Sequence, residues 1–492
     1  MEERRFKLIR ADFLIPLNDT DGRAARIEDG YVLTNNALIT EYGKYTPALG
    51  KKIIEKYGSS LQIIGKKLKD KYEEKDIVKH NGAILPGFVK AHGHDHESPI
   101  IGIAKDEPLT SWLDHAVNLF TGFMNEKRGE LEKQFGVSPN YVTYIKARID
   151  DIMFGITSSM VHHCNYNKYR LEEIYDAAKD SGAEMIVAVG SQDRNYEKGV
   201  LDKPEEAVKR LEQYEKKFGG RRHFTIVPGP DQFFSNGPEM LKGLKKWARD
   251  NGRLFHIHSA EEPATTKWFR KTYGMTEMEY ADKLGILDEN TVLAHQVNCL
   301  DIDLELIRDR GAKVVHNPLA NTILGSGMPP IIKMLEMGIP VVISTDGSGS
   351  ADNQNIIAAA RLAAQYQKAL NKDAELLPAQ KVLEMITVEP AKLLGFNSGS
   401  IARGKNADII MIDLTKPNMV PTRVDNIIEN IIWAAAGNEI KYVISKGKLL
   451  LDDYTYTTLD DARIKKNVQK LSELLIEYRK GKSELCGTGV HR

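Results

Sequence analysis

Eight short runs rich in β-branched residues, at 83–91, 155–161, 184–189, 223–227, 253–257, 292–294, 313–315 and 340–344, constrain the fold of this chain more than any other feature. Segments with helical periodicity lie between them. SPNYVTYIKARIDDIMFG opens on Ser138 as N-cap with Pro139 in the first turn, LEEIYDAAKDSG closes on a glycine, and KPEEAVKRLEQYEKKFGG and GPEMLKGLKKWARDNG repeat the pattern. A strand followed by a helix and then another strand calls for parallel pairing, because the crossover returns the chain to the same edge. Eight such units close into a (β/α)8 TIM barrel, expected over residues 82–395. Chemistry in that architecture sits at the C-terminal mouths of the strands.

The flanks follow another pattern. Residues 5–43 alternate, with turn residues at Asn18-Asp19 and Asp29-Gly30, and ADIIMIDL and EIKYVISKGKLLLDD after the barrel suit antiparallel strands, the latter turning near Lys446-Gly447. We expect 1–81 and 396–456 to form one small β-sandwich domain carrying a charged, helix-prone insertion at 44–77, and 457–492 to be a helical tail docked on the surface. The 492-residue length exceeds what one hydrophobic core organises.

Charge and cysteine content narrow the function. With 68 basic and 68 acidic residues the formal charge is zero, which argues against nucleic acid as a partner. Cys164, Cys299 and Cys486 are too scattered for a disulfide framework or a metal knuckle, and fit a reducing compartment. No secretory leader or membrane-length apolar run is present, so the expectation is a cytoplasmic protein with no membrane partner.

Ionisable residues collect where the predicted strands end. In LPGFVKAHGHDHES, His92 and His94 share one face of an extended strand, so both imidazoles can reach one ion; His96 continues the alternation, as a ligand or as a neighbour in the loop. In RLFHIHSAEEP, His258 stands at the fifth mouth with Glu261 just beyond it, placed to move a proton, and His256 lies one step deeper. His295 ends the sixth strand. Asp346 ends the eighth, where it would also serve to cap the helix starting near Ser350. Imidazoles with a carboxylate suit Zn²⁺ or another borderline divalent ion.

LPGFVKAHGH, DEPLTSWL, HIHSAEE, LAHQVN, HNPLANTILGSGMPP and STDGSGSADN, in this order, resemble the amidohydrolase superfamily. The similarity is to the aminohydrolase branch with guanine and 8-oxoguanine deaminases, methylthioadenosine/S-adenosylhomocysteine deaminases and triazine hydrolases. It implies His92, His94, His258 and Asp346 as ligands of one divalent ion, zinc or, alternatively, Fe²⁺. Glu261 is then the proton shuttle, and His295 and Asp346 orient and deprotonate water. Dinuclear relatives carry a lysine at the end of the fourth strand; FTIVPGPDQ has none, which favours one ion. The implied reaction is attack of metal-activated water on a ring carbon of a nitrogen heterocycle (purine, pterin, pyrimidine or triazine), with release of ammonia. Amide-bond hydrolysis or hydrolytic dehalogenation at the same ion is the alternative, and a silent scaffold the reading from another class. Trp112, His163, Gln192 and Asn321 are the expected substrate contacts, and a homo-oligomer is implied by the resemblance.

Overall fold

The computed structural model describes residues 4–163, 166–221 and 223–485. Five strands precede the barrel: β1 (Phe6–Leu14), β2 (Ile27–Asn35), β3 (Leu38–Lys44), β4 (Leu61–Ile63) and β5 (His80–Pro86). The barrel strands are β6 (Phe88–Lys90), β7 (Ile156–His163), β8 (Glu184–Ser191), β9 (Phe224–Pro230), β10 (Phe255–Ser259), β11 (Thr291–His295), β12 (Lys313–His316) and β13 (Val341–Ile343). After them come β14 (Ile409–Asp413), β15 (Ile440–Ser445), β16 (Lys448–Asp452) and β17 (Thr455–Tyr456).

Strands β6 to β9 form one four-stranded parallel sheet and β10 to β13 another. The halves meet at two seams. Gln232 bridges to His258 beside β10, and the His258 N–H donates to the Asp231 carbonyl at 3.1 Å. At the other seam the Ser344 hydroxyl donates to the His92 carbonyl at 2.7 Å and accepts from the His92 N–H at 3.0 Å. A serine thus replaces the missing ladder and closes the cylinder.

Strand parity sorts the core. Met160, Ile186, Val227, Val292, Val315 and Val342 fill the barrel interior, while their neighbours Val161, Val187, Ile226, Leu293, Val314 and Ile343 pack with the apolar faces of the surrounding helices. Burial on both faces is what a parallel sheet under a helical ring demands.

The 83–91 run is not one strand, as expected from sequence, but two. β5 belongs to the outer domain, paired parallel to β1 and antiparallel to β14, and the chain passes into the barrel at Gly87. A Cβ there would lie 2.2 Å from the Thr157 hydroxyl, so only glycine lets the chain cross. The barrel therefore starts at Phe88, not at residue 82.

The outer domain is a single nine-stranded sheet in the order β17-β16-β15-β14-β5-β1-β2-β3, with β4 added beside β1. It curls over itself: Ile9, Val32 and Ile39 from one wing and Ile409, Met411 and Ile444 from the other share one apolar cluster, which makes the sandwich. Lys446 and Gly447, both at positive φ, form the β15–β16 turn. Only part of the 44–77 insertion is helical, with an α-helix at Pro47–Tyr57 and single 3-10 turns at Gly58–Ser60 and Glu74–Asp76; β4 joins the sheet, and Tyr45, Ile53, Leu61, Ile63 and Tyr72 pack with Leu8 and Leu33 on its other face. The terminal helix, Asp461–Leu485, buries Val468, Leu471 and Leu475 against the helices at Leu119–Glu126 and Pro139–Met153. No helix among the described residues is long and apolar enough to cross a membrane.

Candidate active site

Both halves of the barrel send ionisable side chains to one mouth. His92 and His94 follow β6, His258 lies in β10, His295 ends β11, and Asp346 stands just past β13. The chain turns sharply there: Ala260 (φ 47°), His295 (79°), Gln296 (52°) and Asp346 (68°) all adopt left-handed backbone that costs non-glycine residues energy.

Asp346 Oδ1 lies 3.3 Å from His92 Nε2 and 3.5 Å from His94 Nε2, and His94 Nε2 lies 3.1 Å from His258 Nε2. The far nitrogens decide what these atoms present. His94 Nδ1 is 3.1 Å from the His162 carbonyl and His258 Nδ1 is 2.7 Å from the Asp231 carbonyl. A carbonyl only accepts, so Nδ1 holds the proton in both rings and Nε2 offers a lone pair. His92 Nδ1 is engaged by His256 Nε2 at 3.1 Å, leaving its own Nε2 buried with no hydrogen-bond partner. Burial, reinforced by the neighbouring imidazoles, pushes His92 and His94 well below the ordinary histidine range, so both are neutral. Neutral lone-pair nitrogens converging on a carboxylate fit a divalent cation, and the donor atoms within each such group lie within 4.8 Å of one another.

His295 has the opposite orientation. Its Nδ1 faces amide nitrogens, Asn321 Nδ2 at 3.0 Å and Asn317 Nδ2 at 3.5 Å, and so accepts. The proton then sits on Nε2, which faces Glu261 Oε2 at 3.6 Å and Asp346 Oδ2 at 3.7 Å. Burial lowers His295 to about 4, keeping it neutral. Glu261 is buried, and desolvation together with Asp346, Asp231 and Glu262 holds its carboxyl well above the usual range, which favours the protonated acid.

A buried polar cluster lies behind the two first histidines. Lys90 Nζ donates to Asp95 at 3.1 Å, Asp151 at 2.8 Å and Gln354 at 3.0 Å. Arg148 completes the charge balance by bonding Asp95 and Ser159 and pairing with Asp151. Gln354 in turn donates to the Asp346 carbonyl at 3.1 Å and accepts from Thr345 at 2.8 Å. The cluster ties the loop after His94 to the strand end that carries Asp346.

The cavity over the site has about 40 Å³ of free space, closed by Leu109, Trp112, Leu113 and Val117. Leu113–Asn118 is π-helical, a form that recurs at functional sites. Trp112 lines the cavity. The other expected substrate contacts do not. His163 is buried on the helix-facing side of β7, edge-on to Tyr144; Gln192 is held by Lys168 at 3.0 Å; and Asn321 spends its amide on His295. None of the three is among the residues that line this cavity.

His96, expected as a ligand or as a neighbour in the loop, lines the cavity, and so does Glu97, which the sequence analysis assigned no role. Both ring nitrogens of His96 are buried without partners. Glu97 Oε2 accepts from the Gly349 and Ser350 N–H groups at 3.2 and 3.1 Å, and burial beside Asp346 raises its carboxyl to about 8. A Cβ on Gly347 would lie 1.9 Å from Glu97 Oε2, so glycine is required there. The run of ionisable residues in AHGHDHES was the available signal.

Residues 83–450 match the amidohydrolase family. Among curated relatives, a 5-methylthioadenosine/S-adenosylhomocysteine deaminase of Caldanaerobacter subterraneus subsp. tengcongensis is 30% identical over 422 residues, spanning 82% of this chain and 93% of the relative. A 5'-deoxyadenosine deaminase of Methanosarcina mazei is 28% identical, spanning 93% of this chain and 96% of its own. The fold is shared with the crystal structure of an adenosine deaminase from Xanthomonas campestris with bound zinc, at TM-score 0.79 and 21% identity over 96% of this chain and 98% of that one. By the extent of the family match and by that first relative, the chain belongs to the amidohydrolase family.

Proposed function

We propose that this hydrolase is an aminohydrolase that replaces the exocyclic amino group of an adenine-type nucleoside by oxygen, releasing ammonia. One observation carries the reading: rings presenting bare Nε2 atoms meet Asp346, while His295 turns a protonated Nε2 toward Glu261 and Asp346. The names of the relatives, which act on adenosine derivatives, support the substrate class.

His92, His94, His258 and Asp346 would hold the ion, and Zn²⁺ suits this nitrogen-and-carboxylate donor set. When bound, it supplies the Lewis acidity that makes water a nucleophile at neutral pH. The remaining work belongs to the chain. Asp346, through Oδ2, takes the proton of the attacking water, and His295 donates a hydrogen bond from Nε2 that orients it. Glu261 delivers its proton to the ring nitrogen beside the attacked carbon, which absorbs the electron pair displaced from the C=N bond. Asp346 passes the proton it took from water to the exocyclic nitrogen, ammonia leaves as the ring carbonyl forms, and the remaining hydroxyl proton returns to Glu261. Trp112 and Leu113 wall the planar ring from water.

The test is ammonia release from adenosine, 5'-deoxyadenosine, 5'-methylthioadenosine, guanine and an aminotriazine, and chloride release from a chlorotriazine, by zinc-loaded protein. Ammonia from the adenosines at rates well above guanine and triazine supports the proposal. Chloride released from a chlorotriazine, with no ammonia from any amine, overturns it.

A further inference from the structure

A second, larger cavity of about 340 Å³ is lined by Thr110, Asn195, Phe234, Ala264, Thr265 and Trp268. All four chain segments that line it also contribute to the inner cavity. Thr110 sits between Leu109 and Trp112, Asn195 precedes Tyr196, Phe234 follows Gln232 by two residues, and Ala264 follows Glu261 by three. The two spaces are therefore neighbours over one set of strand mouths.

Their chemistry differs. The inner cavity is lined by Glu97, Asp231, Glu261 and Asp346, and among its described lining residues there is no lysine or arginine. Among its described lining residues the outer one has no charged side chain. Arg194, close by in sequence, is paired with Asp193 at 2.6 Å. Asn195 is fixed by its own amide, which donates to the Phe234 carbonyl at 2.6 Å. Trp268 stays 42% exposed, set against Phe269 and Tyr273. A large indole left half in water at the rim of an active site is a surface that gains by being covered.

We infer that the outer cavity is the subsite for the non-reacting arm of the substrate, that this arm is uncharged and apolar, and that Trp268 and Phe234 are the contacts that select it. A phosphate or carboxylate on the arm would give up hydration without meeting a cation and would face the acidic inner wall. A short thioether or alkyl arm would cover Trp268 and Phe234 instead. The inference rests on the proposed deamination, whose substrate supplies the ring.

The test compares kcat/KM for 5'-methylthioadenosine, S-adenosylhomocysteine, adenosine 5'-phosphate and free adenine in the wild type, Trp268→Ala and Thr265→Lys. The wild type should prefer the methylthio substrate over both anion-bearing ones by about 100-fold or more. Trp268→Ala should raise KM for the methylthio substrate by about tenfold while leaving kcat, and the rate on free adenine, nearly unchanged. Thr265→Lys should narrow the preference by improving the anionic substrates. Equal rates on the anionic substrates, or a Trp268→Ala loss that is the same for adenine as for the nucleoside, would overturn the subsite. Quenching of tryptophan fluorescence by 5'-methylthioinosine, reduced in Trp268→Ala to the part that Trp112 beside the ring supplies, reads the subsite without turnover. Ammonia absent from every aminopurine, with that quenching intact, would overturn the deamination and leave the subsite standing.

Discussion

Replacing Lys90 with methionine removes one of two cations from a cluster in which Lys90, Arg148, Asp95 and Asp151 all have side chains no more than 1% exposed. Methionine keeps the length of the stem, so the change is chiefly one of charge and hydrogen bonds. Three contacts of 2.8 to 3.1 Å disappear, and two buried carboxylates are left with one guanidinium. Taking one partner out of a buried ion cluster costs about 3–5 kcal/mol. At about 2–4 °C per kcal/mol for a large domain, the unfolding temperature should fall by about 6–20 °C. The measurement is thermal unfolding of zinc-loaded protein at a fixed scan rate, with metal content determined alongside. Because Gln354 links Lys90 to the Asp346 carbonyl, metal retention should fall as well. Lys90→Met/Asp151→Asn restores neutrality and should recover part of the loss. A Lys90→Met protein that unfolds within about 2 °C of the wild type, less than about 1 kcal/mol, would refute the idea that this charge balance holds the mouth together.

Three further substitutions separate the roles at the site. Glu261→Gln should keep the metal and lose about 10²–10⁴-fold in kcat, and near-normal turnover in a metal-replete variant would contradict the shuttle. His258→Ala should lose metal and activity together, which elemental analysis of the purified variant checks against wild type. Asn321→Asp places an acceptor against His295 Nδ1, draws the ring proton to that side and should cut kcat by about 10²–10⁴-fold with metal retained. An unchanged rate in that variant would show that the tautomer of His295 does not matter.

The eight parallel strands, and the bringing together of His92, His94, His258, Glu261, His295 and Asp346, could be anticipated because strand periodicity places residues at known ends. Parity carried more information than was drawn from it. Val161 and His163 lie on the same face of β7, so a helix-facing Val161 already implied a His163 turned from the mouth, and His162 on the other face does reach the His94 and His258 rings. The bonds that engage Gln192 and Asn321, expected as substrate contacts, were not legible because their partners, Lys168 and His295, lie on other elements that no local pattern connects to them. The division of the 83–91 run at Gly87 depends on Thr157, far along the chain. Glu97 drew no role from a sequence in which it looks like part of an ordinary polar loop, since only its burial makes it unusual.

The seam between β13 and β6 gives the proposed ion a mechanical consequence. His92 and His94 come from one four-stranded half of the cylinder, and His258 and Asp346 from the other. Across that junction the Ser344 hydroxyl alternates with the His92 backbone in place of a continuous ladder. A cation gripped from both sides would act as a rivet through the joint, so loading and the integrity of the cylinder should rise and fall together. Chelation would then free the two halves to part where no ladder holds them, and amide exchange should quicken first along β6 and β13.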